Sequence, residues 1–162
     1  MTYIASSGDL FATTTLRNFA HGCNCAGSMG KGIAVAFKRR WPQMFKEYKA
    51  RCADGRLVVG GVFTYASETE VVFNLGTQAH WRAKKGGPAA DLGGIESACR
   101  QMVTEAEERG LDVVALPVVG AGLGGLSTGD VVNLLQDVFG PSSVEFWVVE
   151  RFVAGEPLTR FR

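Results

Sequence analysis

The stretch Asp112-Val113-Val114-Ala115-Leu116-Pro117-Val118-Val119-Gly120-Ala121-Gly122-Leu123-Gly124-Gly125 decides the fold. Up to Val119 it is a near-continuous apolar run, the pattern of a strand covered on both faces. Glycines follow at once. Asp130–Phe139 then sets Val131, Leu134, Leu135 and Val138 on one helical stripe. The same order of strand, bare loop and helix occurs earlier. Leu16–Cys23 reads as a strand and Asn24-Cys25-Ala26-Gly27-Ser28-Met29-Gly30-Lys31-Gly32 as the loop after it. Gly32–Trp41 reads as a helix, with Ile33, Phe37 and Trp41 on one face and Pro42 as its stop.

Outward from these two units, Tyr3–Ala5 reads as a first strand, with a turn at Gly8-Asp9 beyond it. Gln43–Arg51 continues as a second short helix. Leu57–Tyr65 and Glu70–Leu75 are β-branched, aromatic-rich strands joined at Ala66–Thr69. Trp81–Gly94 is a loop rich in Gly, Lys and Pro. Ile95–Arg109 is the clearest helix: Ile95, Ala98, Met102 and Ala106 form its stripe and Gly110 ends it. Val144–Val149 is the last strand, and Ala154–Arg162 reads as a tail. Strands interleaved with helices predict an α/β fold with a mixed central sheet covered by helices. Ligands of such sheets sit at the carboxyl ends of the strands. The two glycine loops are therefore expected side by side at one rim.

A chain of 162 residues suits one domain. With 46% hydrophobic and 20% charged residues it is not a disordered chain. The longest unbroken apolar stretch, around Val113–Leu116, is far shorter than the ~18 residues of a membrane span. No basic-then-apolar segment follows Met1, so a cytoplasmic location with no membrane partner is expected. Net charge is +1, so nucleic-acid contact has to be local rather than drawn by a global field. Lys38-Arg39-Arg40 fits two readings: cations at a helix C-terminus, or part of a nucleic-acid patch with Arg82, Lys84 and Lys85. Cys23, Cys25, Cys52 and Cys99 match no disulfide framework and are expected to be free thiols. His21-Gly22-Cys23-Asn24-Cys25 is not a complete ligand set, so no metal and no cofactor is expected.

The 21 glycines are clustered, which marks backbone that turns tightly or approaches something closely. Without Cβ atoms, amide groups can converge on an anion, and a helix N-terminus adds favourable charge. Two such loops facing each other suit a diphosphate. Neither is a Walker A loop, because Lys31 is not followed by Ser or Thr. Gly120–Gly125 formally fits G-x-G-x-x-G, but it lies too near the end of the chain to open a Rossmann half.

Taken together, these segments resemble the macrodomain family, which binds ADP-ribose. The resemblance rests on Gly8-Asp9-Leu10, His21–Gly27, Met29-Gly30-Lys31-Gly32-Ile33-Ala34, and Leu116-Pro117 followed by Gly120–Leu126. It spans about Tyr3 to Val153 and implies a single three-layer α-β-α macrodomain over residues 1–153, with a tail over 154–162. The Met-Gly-Lys-Gly-Ile-Ala loop is similar to one branch, which contains a terminal ADP-ribose protein glycohydrolase and an antitoxin that removes ADP-ribose from DNA. By this resemblance Asp9 accepts from the adenine amino group, with Leu10 beside it, although an Asp there also suits a turn cap. Asn24 bonds the distal ribose through both ends of its amide, or else caps its loop. Met29, Gly30, Lys31, Gly32, Thr77, Gly120, Ala121, Gly122, Leu123 and Gly124 surround the diphosphate and distal ribose. Phe152 covers the adenine, with Trp147 as competitor.

The resemblance implies an ADP-ribosyl hydrolase, monomeric, acting on an ADP-ribosylated protein or nucleic acid. One position departs from the branch. In the frame Asn74-Leu75-Gly76-Thr77-Gln78-Ala79-His80-Trp81-Arg82, its catalytic lysine falls on Gln78. Glutamine cannot form a covalent adduct with a sugar carbon as an amine does, which points to a water-mediated route with Asn24, Gln78 and His80. The segment His21–Ser28 is also similar to the yeast-type ADP-ribose-1″-phosphate phosphatase, which implies a catalytic His21. A non-catalytic ADP-ribose reader is the remaining reading.

Overall fold

In the computed structural model, which describes residues 2–83 and 86–162, seven strands form one sheet. The strands are β1 (Tyr3–Gly8), β2 (Asn18–Asn24), β3 (Val62–Ala66), β4 (Val71–Gln78), β5 (Val113–Pro117), β6 (Glu145–Phe152) and β7 (Thr159–Arg160). The helices are α1 (Ile33–Arg40), α2 (Pro42–Ala53), α3 (Leu92–Glu108) and α4 (Thr128–Phe139). The strand order is β3-β4-β2-β5-β6-β1-β7. β4, β2, β5, β6 and β1 run parallel, and β3 and β7 close the two edges antiparallel.

Side-chain alternation along the strands divides the core in two. Ala20, Phe73, Leu75, Val114 and Leu116 pack with Ile95, Met102, Val131 and Leu135 of α3 and α4. Phe19, Cys23, Val72 and Ala115 pack on the other face with Phe37, Trp41, Met44 and Tyr48 of α1 and α2. Helices on both faces explain why β5 is apolar on both sides. The expected three layers and mixed sheet are what the chain forms.

Several boundaries differ from the sequence reading. β1 runs on to Gly8, and Asp9 then caps a single 3-10 turn at Leu10–Ala12. β3 starts only at Val62, because Gly60 and Gly61 are used in a turn: the Gly61 amide donates to the Val58 carbonyl. α3 begins at Leu92, since the Asp91 carboxylate accepts from the Gly94 amide and caps it there. Residues 154–162, read as a tail, contribute β7, which pairs with Ser6 and Ser7.

Five parallel strands bring five carboxyl ends to one rim, in the order Gln78, Asn24, Pro117, Phe152, Gly8. At a strand spacing of about 4.8 Å, this rim spans roughly 19 Å. The ladder between β2 and β5 is limited to Phe19 opposite Ala115, so the carboxyl ends of these two strands are not laddered to each other. That is where the two glycine loops emerge.

Candidate functional site

The loops meet as expected. A Cβ placed on Gly32 would lie 3.3 Å from Leu123 Cδ1, so loop 24–32 touches loop 120–125 at that point. Between them lies a cleft of about 250 Å³, lined by Gly22, Cys23, Asn24, Ser28, Gly30, Lys31, Ala34, Gln78, Trp81 and Leu123. A larger hollow of about 590 Å³ lies at the opposite rim, around Arg17, Asp112, Glu145 and Trp147. No glycine loop converges on that hollow, so size does not decide the site.

Loop 120–125 is braced from behind. The Leu126 amide donates to the Gly120 carbonyl, the Gly125 amide to Gly122, and the Ala90 amide to Gly124. Gly120 and Gly125 adopt φ of +79°, a region that favours glycine. A Cβ at Gly124 would lie 2.5 Å from the Gly120 oxygen. The amides of Gly122, Leu123 and Gly124 donate to no partner among the described residues. On the other side, the amides of Gly30, Lys31 and Gly32 are equally free and lead into the N-terminus of α1. Unpaired amides aimed into a crevice are anion donors.

Of the two roles expected for Asn24, the structure shows the loop cap, and its amide does not offer both ends to a ligand. Its Oδ1 accepts from the amides of Ala26 (3.0 Å) and Ser28 (3.2 Å) and from Tyr48 Oη (3.0 Å), and its Nδ2 donates to the Ser28 carbonyl (2.8 Å). It shapes the loop, and only its second Nδ2 hydrogen remains to give. Tyr48 fixes it from α2 by also bonding the Asn24 carbonyl at 2.7 Å. Met29 is a core residue at 2% exposure, anchoring the loop from below, so its side chain is not a ligand contact. Thr77 is likewise buried, its hydroxyl bonded to the Cys23 carbonyl at 3.2 Å, and it ties β4 to β2 behind the cleft.

His21 is the largest correction. It is fully buried, stacked on Phe37 at 3.8 Å between ring centroids, with Nε2 2.7 Å from Asn74 Oδ1. Burial lowers its pKa to about 4, partly opposed by the Asn74 bond. The odd positions of β2 face α1 and α2, and His21 is one of them, so it packs rather than reacts. The neutral ring costs stability in acid. The unfolded state takes up a proton below its ordinary pKa of 6.5, and the folded state only near 4. Stability from this group is complete above 6.5 and is lost progressively as pH falls toward 4, by roughly 3 kcal/mol in all. Tm measured from pH 7 to 4.5 is expected to fall, and His21→Gln to flatten that fall; an unchanged slope would contradict the assignment.

Gln78 ends β4 opposite Asn24 and lines the cleft. Its Nε2 donates to the His80 carbonyl at 2.7 Å, which leaves Oε1 as a fixed acceptor. His80 is exposed, its ring tilted 30° against Trp81 at 3.7 Å between centroids, with Nδ1 taken by the Arg82 amide, and it is not part of the cleft wall. Gly22, Cys23, Ser28, Ala34 and Trp81 line the cleft without having been expected there, and Trp81 is the largest of them. Its signal was a lone tryptophan in a Gly- and Lys-rich loop, and it is 48% exposed. Cys23 reaches the cleft, but burial pushes its thiol well up, so it is no nucleophile. The lining includes no carboxylate.

At the far end of the rim, Asp9 caps the 3-10 turn through Oδ1 to the Phe11 amide (2.9 Å), and Oδ2 accepts from the Gly155 amide (3.1 Å). Phe152 pairs beside Gly8 and is 68% exposed, while Trp147 sits mid-strand against the opposite hollow. Of the two candidates, Phe152 is thus the one at this end. The four cysteines are free. Among the described residues no group of three or more His, Cys, Asp or Glu could hold a metal, and no helix is long and apolar enough to cross a membrane. Lys84 and Lys85 lie outside the described residues.

A three-layer α/β domain with two loops of unpaired amides at adjacent strand ends is the class of protein the fold and cleft define. The Macro domain family matches residues 20–135, and the chain belongs to that family. Among curated relatives it is 34% identical over 137 residues to the DNA ADP-ribosyl glycohydrolase of Mycobacterium tuberculosis, covering 82% of this chain but 37% of that protein. Its fold matches the macrodomain of Thermus aquaticus DarG with a TM-score of 0.80 and 29% identity, over 91% of this chain and 97% of that one. A shorter match, 49% over 47 residues, joins 29% of the chain to 24% of the ADP-ribose 1″-phosphate phosphatase of Aspergillus clavatus. The chain thus spans little more than a third of the glycohydrolase's length.

Proposed function

We propose that this chain grips ADP-ribose attached to an acceptor, with DNA as the acceptor class, and releases it slowly through water. The observation that carries the reading is the pair of unpaired amide sets, Gly30–Gly32 and Gly122–Gly124, on two loops that meet at Gly32 and Leu123 and that line one cleft through Gly30, Lys31 and Leu123. The diphosphate lies between them. The distal ribose lies toward Asn24 and Gln78, and the adenine toward Leu10 and Phe152. The DNA acceptor is supported by the names of the full-length relatives. In the hydrolysis, water adds to the anomeric carbon as the bond to the acceptor breaks, and the acceptor leaves with a proton. Gln78 Oε1 can orient that water but cannot take its proton, so the step is slow. The phosphatase reading needs His21, which is buried.

The test is incubation with an ADP-ribosylated oligonucleotide, an ADP-ribosylated protein and ADP-ribose-1″-phosphate. Slow release from the oligonucleotide alone is expected. No release from any of them, with ADP-ribose still bound, would reduce the function to recognition. Asp9→Ala is expected to weaken ADP-ribose binding by about 1–3 kcal/mol and to cost about 1 kcal/mol of stability through the lost cap. Calorimetry and thermal unfolding separate the two effects. A lowered Tm with unchanged affinity would make Asp9 a cap alone.

A further inference from the structure

A trough of about 610 Å³ runs between α1 and α2 and joins the cleft at Gly30, which lines both. Its walls carry Lys38 and Arg39 from α1 and Lys46 and Lys49 from α2, over Val35, Pro42 and Phe45. No acidic residue lines it. None of the four cations is in an ion pair among the described residues. Glu47, also on α2, accepts from Gln43 at 3.5 Å and is not part of the trough.

Four uncompensated charges stand out in a chain whose net charge is +1. The helix dipole accounts for Lys38 and Arg39 in the last turn of α1. It does not account for Lys46 and Lys49, which lie inside α2. Lys49 Cγ lies 3.6 Å from where a Cβ on Gly27 would sit, so the trough wall packs directly on the cleft's own loop. Lys38 Nζ stands 4.3 Å from the Phe45 ring centre, which holds that cation over the floor.

We propose that this trough seats the phosphodiester backbone of a single nucleic-acid strand, whose ADP-ribosylated nucleoside enters the cleft past Gly30. This rests on the function proposed above and adds the path of the acceptor. Cations on both walls fit one backbone lying between them better than a duplex, which presents two. Lys46 and Lys49, one helical turn apart, repeat at about 5–6 Å, as phosphates do along an extended strand. An acidic peptide shares the charge and, when extended, a similar repeat of about 6.6 Å between side chains on one face, so the names of the full-length relatives favour the strand and the peptide is an outcome of the test.

The test uses a labelled, unmodified single-stranded 20-mer and fluorescence anisotropy across a salt series. The strand is expected to bind with a log–log salt slope near −3, from four phosphates at about −0.7 each. The Lys46→Glu/Lys49→Glu pair is expected to lose at least about tenfold in affinity and to flatten the slope by about 1.4. The Lys46→Gln/Lys49→Gln pair is expected to show a smaller loss in the same direction. Both pairs should bind free ADP-ribose as the parent does, by calorimetry. Unchanged strand binding in these variants would overturn the proposal, as would an acidic peptide of equal charge bound as tightly at the same salt. A parent that fails to bind ADP-ribose would overturn the function itself and the entry of the modified nucleoside. The effect of the lysine pairs on the bare strand reads the trough alone.

Discussion

Gly122→Val is expected to abolish measurable ADP-ribose binding while leaving Tm within about 2 °C of the parent. A Cβ at Gly122 would meet nothing within 4 Å, and Gly122 is not among the glycines with positive φ. Valine therefore strains neither packing nor backbone there. Gly124 is different, because a Cβ would press on the Gly120 carbonyl and on Ala90. What valine changes at position 122 is access. Its branches would stand beside amides that have no partner among the described residues. Hydrogen bonds from such amides to a charged phosphate are worth about 1.5–3 kcal/mol each. Losing two of them costs about 3–6 kcal/mol, a hundredfold or more in affinity. Calorimetry at matched protein concentration checks this. Parental affinity in a well-folded valine variant would move the phosphate seat away from loop 120–125.

Gln78→Lys is expected to raise the rate of release from an ADP-ribosylated oligonucleotide by about 10²-fold or more. Gln78 occupies the cleft wall, beside Asn24 and across from Leu123. Lysine there brings an amine that can attack the anomeric carbon and a group that carries a proton, neither of which a carboxamide supplies. Substrate affinity should change little, because the amide cradles are untouched. Single-turnover measurements separate the rate from binding. A lysine variant as slow as the parent would mean that the cleft lacks more than the nucleophile, the missing carboxylate being the first suspect.

The fold was legible because its signals were local and strong. The Val113–Val119 run, the spacing of Ile95, Ala98, Met102 and Ala106, and the glycines after each central strand each carry their own physical reading. The meeting of the two loops followed from the rule that parallel strands present their carboxyl ends together. The site was legible only in outline. Glycine spacing showed where backbone would be bare, but not which side chains would face it. His21 and Thr77 both fell behind the rim, His21 on the α1/α2 face of β2 and Thr77 beneath the end of β4. Asn24 looked like a ligand because its type suits hydroxyls, yet its amide is used by the turn it starts. Trp81 was hidden in a loop with no periodicity. Residues 154–162 carry no strand pattern, and β7 exists because Ser6 and Ser7 leave an edge for it to pair with.

Amide ¹H–¹⁵N spectra recorded while ADP-ribose is added test the twin-cradle site most directly. The largest shifts are predicted at Gly30, Lys31 and Gly32 and at Gly122, Leu123 and Gly124, saturating together, with Leu10 following. Shifts confined to one loop, or centred on the opposite hollow around Arg17 and Trp147, would contradict it.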